Sequence, residues 1–160
     1  MKNDQWTKMD ELCSPFAIMS IKPDYAYLVL SGKKRWEFRK RSMRRLLGKR
    51  ILLYATAPRQ QIVGEIMIKA EIYGNASQVW DITGPQSGIL WYQFNDYFTN
   101  SSKPFYVHAG LIADYHSIEG PTLESIRAEY ASNNWGKWNP PQSWTMLAGT
   151  ETECKWWGLG

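Results

Sequence analysis

Cysteine and histidine are scarce in this sequence of 160 residues, which contains two of each. Cys13 and Cys154 lie near opposite ends and are too few for a disulfide framework, so we expect both to be ordinary thiols. His108 and His116 have no cysteine pair nearby in the sequence and form no zinc-binding pattern. The sequence therefore predicts no metal site and no cofactor.

Long apolar runs are also absent. No run approaches the roughly 18 residues that a membrane-spanning helix requires. The first residues, MKNDQWTKMDEL, lack the apolar stretch of a signal peptide. We expect a cytoplasmic protein that has no membrane partner and keeps its cysteines reduced.

Aromatic and apolar residues, by contrast, are abundant. Hydrophobic residues make up 44% of the chain, with nine tryptophans and nine tyrosines, which is enough for the core of one domain of ordinary size. We predict an N-terminal arm at residues 1–14, one domain at 15–147 and a C-terminal tail at 148–160. Trp156 and Trp157 would be unusual in a free tail, so we expect them to pack against the domain or a partner.

Positive charge is concentrated in one segment. Residues 33–50 hold ten of the nineteen lysines and arginines and a single acid, a net charge of +9, whereas the remainder of the chain carries −5. Trp36 and Phe38 interrupt the segment at period two, which favours a folded basic face over a solvated tail. Such a face attracts phosphate groups. The alternative is a basic surface that only maintains solubility.

The first half of the chain alternates apolar runs with turn residues. Residues 14–21 predict a buried strand, and Pro23 begins a helix that ends at Gly32. After Gly32 the pattern has period two, with Trp36 and Phe38 on one face and charged residues on the other. Further strands are predicted at 51–56 and 62–73.

The second half contains two short helices, one capped by Asn75 or Ser77 and one by Ser87, that form an insertion over a barrel end. Residues 105–112 predict a strand extended by 115–118, residues 121–131 predict the last helix, and residues 144–147 predict a short strand. The strands show no regular βαβ alternation. We therefore predict a mixed α/β (α+β) chain, built as a mostly antiparallel, partly closed β-barrel with flanking short helices.

The segment Gly32-Lys33-Lys34-Arg35-Trp36-Glu37-Phe38-Arg39 resembles the G-x-K-x-x-E-x-R signature of the ASCH family, which belongs to the PUA-like superfamily. Three further matches follow the order of the family and extend the resemblance over about residues 15–147. They are Pro23-Asp24-Tyr25, then Tyr54-Ala55-Thr56 with Gly64-Glu65 behind it, and Pro140-Pro141-Gln142-Ser143-Trp144. The resemblance implies a PUA-like barrel with a cleft beside the signature segment.

The resemblance also implies a class of function. The superfamily mainly binds RNA or modified bases, and some members act as ribonucleases or remove the acetyl group from N4-acetylcytidine. In the small amidohydrolase branch, the residue three positions after the signature lysine is threonine. This sequence has Glu37 at that position.

The signature residues allow more than one kind of chemistry. Glu37 and Arg39 share a face of the predicted strand, so Glu37 could orient Arg39 or accept a hydrogen bond from a base amine; a structural ion pair is the alternative. Lys34 follows the end of a helix and could remain a protonated phosphate clamp. Buried among aromatic side chains, it could instead lose its proton near neutral pH and act as a base.

Positions outside the signature are further candidates. Gln142 and Ser143 follow a double proline, which would hold them in a stiff turn from which they could read a base edge or merely shape a loop. Thr56 at a strand end and Tyr25 on the first helix are weaker candidates, for which a structural role is the simpler interpretation.

Two tryptophans are candidates for base stacking. Trp135 and Trp138 lie in the polar stretch NNWGKWNP, which predicts that they are exposed. Exposed aromatic rings are the usual platforms for unpaired bases. Trp36, opposite the charged face, is predicted to lie in the core.

We therefore predict a nucleic-acid binding module that recognises single-stranded or modified RNA, with DNA as the alternative nucleic acid. Two other hypotheses stay open. One is an RNA-directed hydrolase, a ribonuclease or a modified-nucleoside amidohydrolase, in which Lys34, Glu37, Tyr25 and Ser143 are catalytic. The other is a protein-interaction module in transcriptional regulation. The side chains predicted to bind nucleic acid are Lys33, Lys34, Arg35, Glu37, Arg39, Lys40, Arg41, Arg44, Arg45, Thr56, Trp135, Trp138, Gln142 and Ser143.

Overall fold

The structure is a computed structural model that describes residues 15–99, 106–147 and 149–158, so the predicted N-terminal arm lies outside the described residues. Its strands are β1 (Ala17–Ile21), β2 (Trp36–Arg39), β3 (Arg50–Ala55), β4 (Gln61–Gly74), β5 (Val107–Ser117) and β6 (Trp144–Met146). Its helices are α1 (Pro23–Leu30), α2 (Ala76–Thr83), α3 (Trp91–Thr99), α4 (Leu123–Ser132) and α5 (Glu151–Trp157). None of these described helices is long and apolar enough to cross a membrane.

The described strands form one sheet of six, in the order β2-β5-β4-β3-β1-β6. β1 and β3 are parallel, and the other pairings are antiparallel. The sheet curls into a half-barrel whose open edges are β2 and β6. The predicted mixed fold, a mostly antiparallel and partly closed barrel with flanking short helices, is confirmed.

Apolar side chains pack in three clusters around this sheet. Met19, Leu53 and Trp144 belong to the cluster that includes α1, and Tyr54 packs with residues of α4 and α5. In the third cluster, Phe38 of β2 packs with side chains of α2, α3 and β5. Each fully buried large apolar side chain contributes roughly 1.5–3 kcal/mol. The third cluster holds α2 and α3 against the edge strand β2, where the signature segment lies.

The beginning of each helix in this pair is determined locally. The Asn75 side chain accepts a hydrogen bond from the backbone of Gln78, and the Gln78 side chain accepts one from the backbone of Asn75, so Asn75 caps α2. Ser87 does not cap α3, contrary to our prediction. Its hydroxyl contacts the carbonyls of Gly84 and Ile89 instead, because a 3-10 turn, Gly84–Gln86, separates the helices.

The predicted exposure of Trp135 and Trp138 is wrong. Trp138 is 8% exposed and packs at 5.7 Å from the Tyr54 ring. Trp135 is partly buried, with its ring 5.3 Å from the Tyr130 ring. The surrounding polar side chains face solvent while the two indoles turn inward, because the barrel wall and α4 offer apolar partners that the local sequence does not reveal.

The segment after residue 148 packs on the barrel as a helix. Trp157 is 1% exposed and donates a hydrogen bond through Nε1 to the hydroxyl of Tyr130 at 2.9 Å. The prediction that this tryptophan pair packs against the domain is confirmed.

Cys154 is buried and disulfide-bonded, so the expectation of a free thiol at this position is wrong. Cys13 lies outside the described residues.

Candidate functional site

A cavity of about 610 Å³ opens between the edge strand β2 and helix α3. It brings together several residues that are distant in the sequence, because the curled sheet places the edge strand β2 close to the ends of β1 and β3, and α3 packs beside β2. The polar side chains around it are Ser20, Lys22, Tyr25, Lys34, Glu37, Arg39, Thr56, Gln93, Asp96 and Gln142.

Two glycines place Lys34 inside this cavity. Gly32 has φ +79, and a Cβ at this position would lie 2.5 Å from the hydroxyl of Tyr115, so the tight turn after α1 requires glycine. Gly88 has φ +71, and a Cβ there would lie 2.9 Å from the Cβ of Lys34. The backbone N–H of Lys34 donates to the carbonyl of Leu28 at 2.9 Å, which closes the turn.

The ammonium group of Lys34 is buried in an aromatic environment. The side chain is 3% exposed, and Nζ lies 4.5 Å from the centre of the Phe38 ring and 5.8 Å from that of Tyr25. Nζ donates a hydrogen bond to the carbonyl of Ser87 at 3.2 Å. Burial lowers the pKa of Lys34 to about 8, while Glu37 acts in the opposite direction. Lys34 is therefore buried, as the second of the two alternatives requires, and it loses its proton more readily than a solvated lysine does.

Glu37 and Arg39 form an ion pair, with Arg39 Nε 3.1 Å from Glu37 Oε1. The same guanidinium donates to the Ser20 carbonyl at 2.8 Å and to Ser143 Oγ at 3.5 Å. Glu37 is 6% exposed, and its second oxygen, Oε2, is buried without a hydrogen-bond partner among the described residues. A buried acceptor of this kind is costly unless it is paired. Oε2 is therefore the strongest sign that a ligand completes the site.

The weaker candidates divide into two groups. Tyr25, Thr56 and Gln142 line the cavity, and the pKa of Tyr25 is raised by burial and then by Glu37, so its hydroxyl keeps its proton. Ser143 is not among the lining residues and contacts Arg39 instead. Its hydroxyl thus lies beside the guanidinium and outside the lining of the cavity.

Helix α3 supplies an aromatic wall that the sequence did not reveal. The side chains of Tyr92, Phe94, Tyr97 and Phe98 line the cavity, and Tyr92 and Tyr97 are more than half exposed. The sequence predicts this helix from the same aromatic residues but gives no indication that it faces the signature strand. The dense aromatic spacing of residues 91–98 is the signal that could have identified the wall.

The comparisons identify the family. An ASCH domain-containing ribonuclease from Zymomonas mobilis is 32% identical over 137 residues, which is 86% of this chain and 87% of the relative. The chain belongs to the ASCH domain family. The family model of the ASCH domain matches residues 19–94, which include the signature segment, the cavity side of β3 and the start of α3.

Solved structures agree with this ASCH assignment. A crystal structure of a mutant of the Zymomonas mobilis ASCH protein superposes with a TM-score of 0.74 at 30% identity, covering 89% of this chain and 94% of the other. The N-terminal domain of Staphylothermus marinus McrB has a TM-score of 0.50 at 14% identity over 88% of this chain and 92% of its own, which is a likeness of fold alone. The ASCH domain described here thus has the PUA-like fold.

Most of the predicted cations of this ASCH domain lie outside the cavity. Of that set, Lys34 and Arg39 line it, and Lys22, which our prediction missed, does so too. Lys40 Nζ is 4.8 Å from the centre of the Tyr97 ring, close to the cavity wall. The others are placed elsewhere: Lys33 against Tyr27, Arg41 against Trp144, Arg35 beside the 3-10 turn that follows α2, and Arg44 and Arg45 exposed on a second 3-10 turn.

Proposed function

We propose that this protein binds single-stranded RNA and cleaves it, with one nucleotide held in the cavity beside β2. The observation that carries the proposal is the buried lysine, Lys34, whose pKa of about 8 leaves roughly a tenth of it uncharged at pH 7. A neutral amine in a cavity of nucleotide size is suited to act as a general base. The 32% identical relative that is named a ribonuclease supports the same substrate class.

The bound nucleotide would use groups that the cavity offers. The rings of Tyr92 and Tyr97 are exposed enough to stack on a base. Glu37 Oε2, which has no hydrogen-bond partner in the described part of the chain, would accept a hydrogen bond from a base amine. A base within a duplex could not enter, so the ligand is an unpaired nucleotide.

Cleavage would proceed by attack of the ribose 2′-oxygen on the adjacent phosphorus. Neutral Lys34 takes the proton of the 2′-hydroxyl, the new P–O bond forms, and the P–O5′ bond breaks to leave a 2′,3′-cyclic phosphate. Tyr25, kept protonated by its raised pKa, gives its proton to the departing 5′-oxygen. The Arg39 guanidinium stabilises the negative charge that develops on the phosphoryl oxygens.

Exposed cations would bring RNA to the site. Lys33, Lys40, Arg44 and Arg45 are exposed, and each neutralised phosphate of a single strand steepens the salt dependence of binding, with a slope of about −0.7 per contact. Affinity should therefore decrease strongly with salt.

The test combines cleavage and binding of one labelled single-stranded RNA, with Lys34→Met as the variant. The parent should yield products with a 2′,3′-cyclic phosphate end, and Lys34→Met should bind but not cleave. The same oligonucleotide with 2′-deoxy sugars should bind and stay intact, since the nucleophile is missing. Salt-sensitive binding with intact RNA in every lane would instead support an RNA-binding module without catalysis, and no binding would refute both.

A further inference from the structure

A second group of aromatic side chains lies on β4, on β5 and immediately before β5, outside the cavity. Tyr73 and Tyr106 are 67% and 62% exposed, with ring centres 5.9 Å apart. Tyr73 also stacks on the imidazole of His108 at 5.8 Å and an interplanar angle of 29°. Exposed aromatic rings that contact one another offer flat faces on which a base can stack.

Glu71 packs against the imidazole of this aromatic group. Its carboxylate is 5% exposed and lies 2.9 Å from Nδ1 of His108, although the two atoms are not aligned for a hydrogen bond. The carboxylate also accepts hydrogen bonds from Ser42 Oγ at 2.9 Å and from the backbone N–H of Met43 at 2.8 Å. The imidazole under Tyr73 is therefore packed against a fixed group, which reduces the entropy lost when a ligand stacks.

The strand register places the group beside the cavity. His108 is paired with Arg39 across β2 and β5 and with Tyr73 across β5 and β4. Paired residues of neighbouring strands point to the same face, and strands lie about 4.8 Å apart. Arg39 and Tyr73 are thus about 10 Å apart on one face of the sheet, a distance that a nucleotide next to the one in the cavity can span.

A basic segment contacts Glu71, the residue that packs against His108. Ser42 and Met43, the two residues that bond to Glu71, lie within residues 40–45, which carry four cations and no acid. Lys40, Arg44 and Arg45 are exposed. Aromatic faces beside cations are the combination that single-stranded nucleic acid requires, since the rings stack on bases and the cations neutralise phosphates.

We infer that Tyr73, Tyr106 and His108 form a second subsite that stacks a base of the RNA strand adjacent to the nucleotide in the cavity. The inference rests on the proposed function, because the occupant is the continuation of the same strand. The subsite adds affinity for RNA longer than one nucleotide and does not depend on base identity, since every base presents a flat face.

The experiment compares RNA of two lengths. The probes are a fluorescent octamer of 2′-fluoro RNA, which has no 2′-hydroxyl to attack, and the four nucleoside monophosphates, titrated by NMR. Tyr73→Ala and Tyr106→Ala should each weaken octamer binding by about 5-fold or more, and Tyr73→Phe should restore it. Monophosphate binding should be the same in all variants, because the cavity is untouched.

Ile82→Ala is the control, since Ile82 is a 64% exposed apolar side chain on α2 that does not line the cavity, and it should leave octamer affinity at the parent value. Thermal melting checks that each variant is folded. Unchanged octamer affinity in both alanine variants overturns the subsite while leaving the proposed function intact, as does an equal loss for octamer and monophosphate. If the parent binds neither probe, the proposed function fails and the subsite fails with it.

Discussion

The ammonium nitrogen of Lys34 donates a hydrogen bond to the carbonyl of Ser87, 3.2 Å away and 53 residues further along the chain. This bond connects the signature segment to the turn between α2 and α3. It satisfies one donor of a charged group that is otherwise surrounded by aromatic rings. Burial, together with the nearby charge of Arg39, explains why the pKa falls although a carboxylate is nearby.

RNA cleavage should depend on pH through Lys34. Only the neutral amine accepts a proton. Below the pKa of about 8, the cleavage rate should therefore increase about tenfold for each unit by which the pH rises, and above that pKa it should stay constant. Single-turnover rates measured from pH 5.5 to pH 9 test this. A rate that is constant across this range, or that decreases with rising pH, would show that Lys34 is not the base.

The pH dependence of the free energy of unfolding should also reveal the buried Lys34. The unfolded state keeps the lysine proton up to the ordinary value of 10.5, whereas the folded state loses it near 8. Between these pH values the unfolded state binds more protons, so the free energy of unfolding increases with pH, by about 3 kcal/mol in total. At pH 7 the folded state carries the full penalty of a buried charge.

Lys34→Met should remove this pH dependence. Urea unfolding of parent and variant at pH 7 and at 10.5 measures it, and the parent should gain stability relative to the variant as pH rises. Lys69→Met, a substitution of an exposed lysine on β4, is the control and should run parallel to the parent. If the free energy of unfolding of Lys34→Met changed with pH as much as that of the parent, the ammonium group of Lys34 would be solvated in the folded protein.

Replacing Gly32 should destabilise the turn that carries Lys34. Alanine at this position has an unfavourable positive φ and brings its Cβ within 2.5 Å of the Tyr115 hydroxyl, so we expect a loss of stability above the ~1–2 kcal/mol of the backbone effect alone. Gly48→Ala is the matched control, because Gly48 has φ +74 and open space around it. Equal losses of stability for the two variants would show that the Tyr115 contact is harmless.

The ion pair between Glu37 and Arg39 should contribute far more to the free energy of unfolding than a surface ion pair does. Glu37→Gln leaves the Arg39 guanidinium buried without a counter-charge, which should cost about 3 kcal/mol. The comparison is Glu65→Gln, which breaks the pair with Arg50, a side chain that is 42% exposed, and should cost less than about 1 kcal/mol. Chemical denaturation of both variants gives the two values. A similar cost for both would indicate that water reaches Arg39.

The positions of the helices and strands along the chain could be predicted because they depend on short-range sequence patterns. Pro23 and Gly32 mark the ends of the first helical segment, alternation marks β2, and Asn75 caps α2. The signature from Gly32 to Arg39 ends in the strand β2, which carries Glu37 and Arg39, while Lys34 lies in the turn before it. These features arise from backbone preferences and periodicity within a few residues, which the sequence carries directly.

The site itself was decided by tertiary structure. Whether Lys34 is solvated or buried depends on Ser87, Phe38 and the wall of α3 closing over it. Trp138 was predicted as exposed from its polar neighbours, and only the packing of α4 and α5 shows why it is buried. Burial and pKa are properties of contacts between distant segments, so the amino-acid sequence determined which chemical groups were available, and the folded sheet determined which of them meet and in what state of charge.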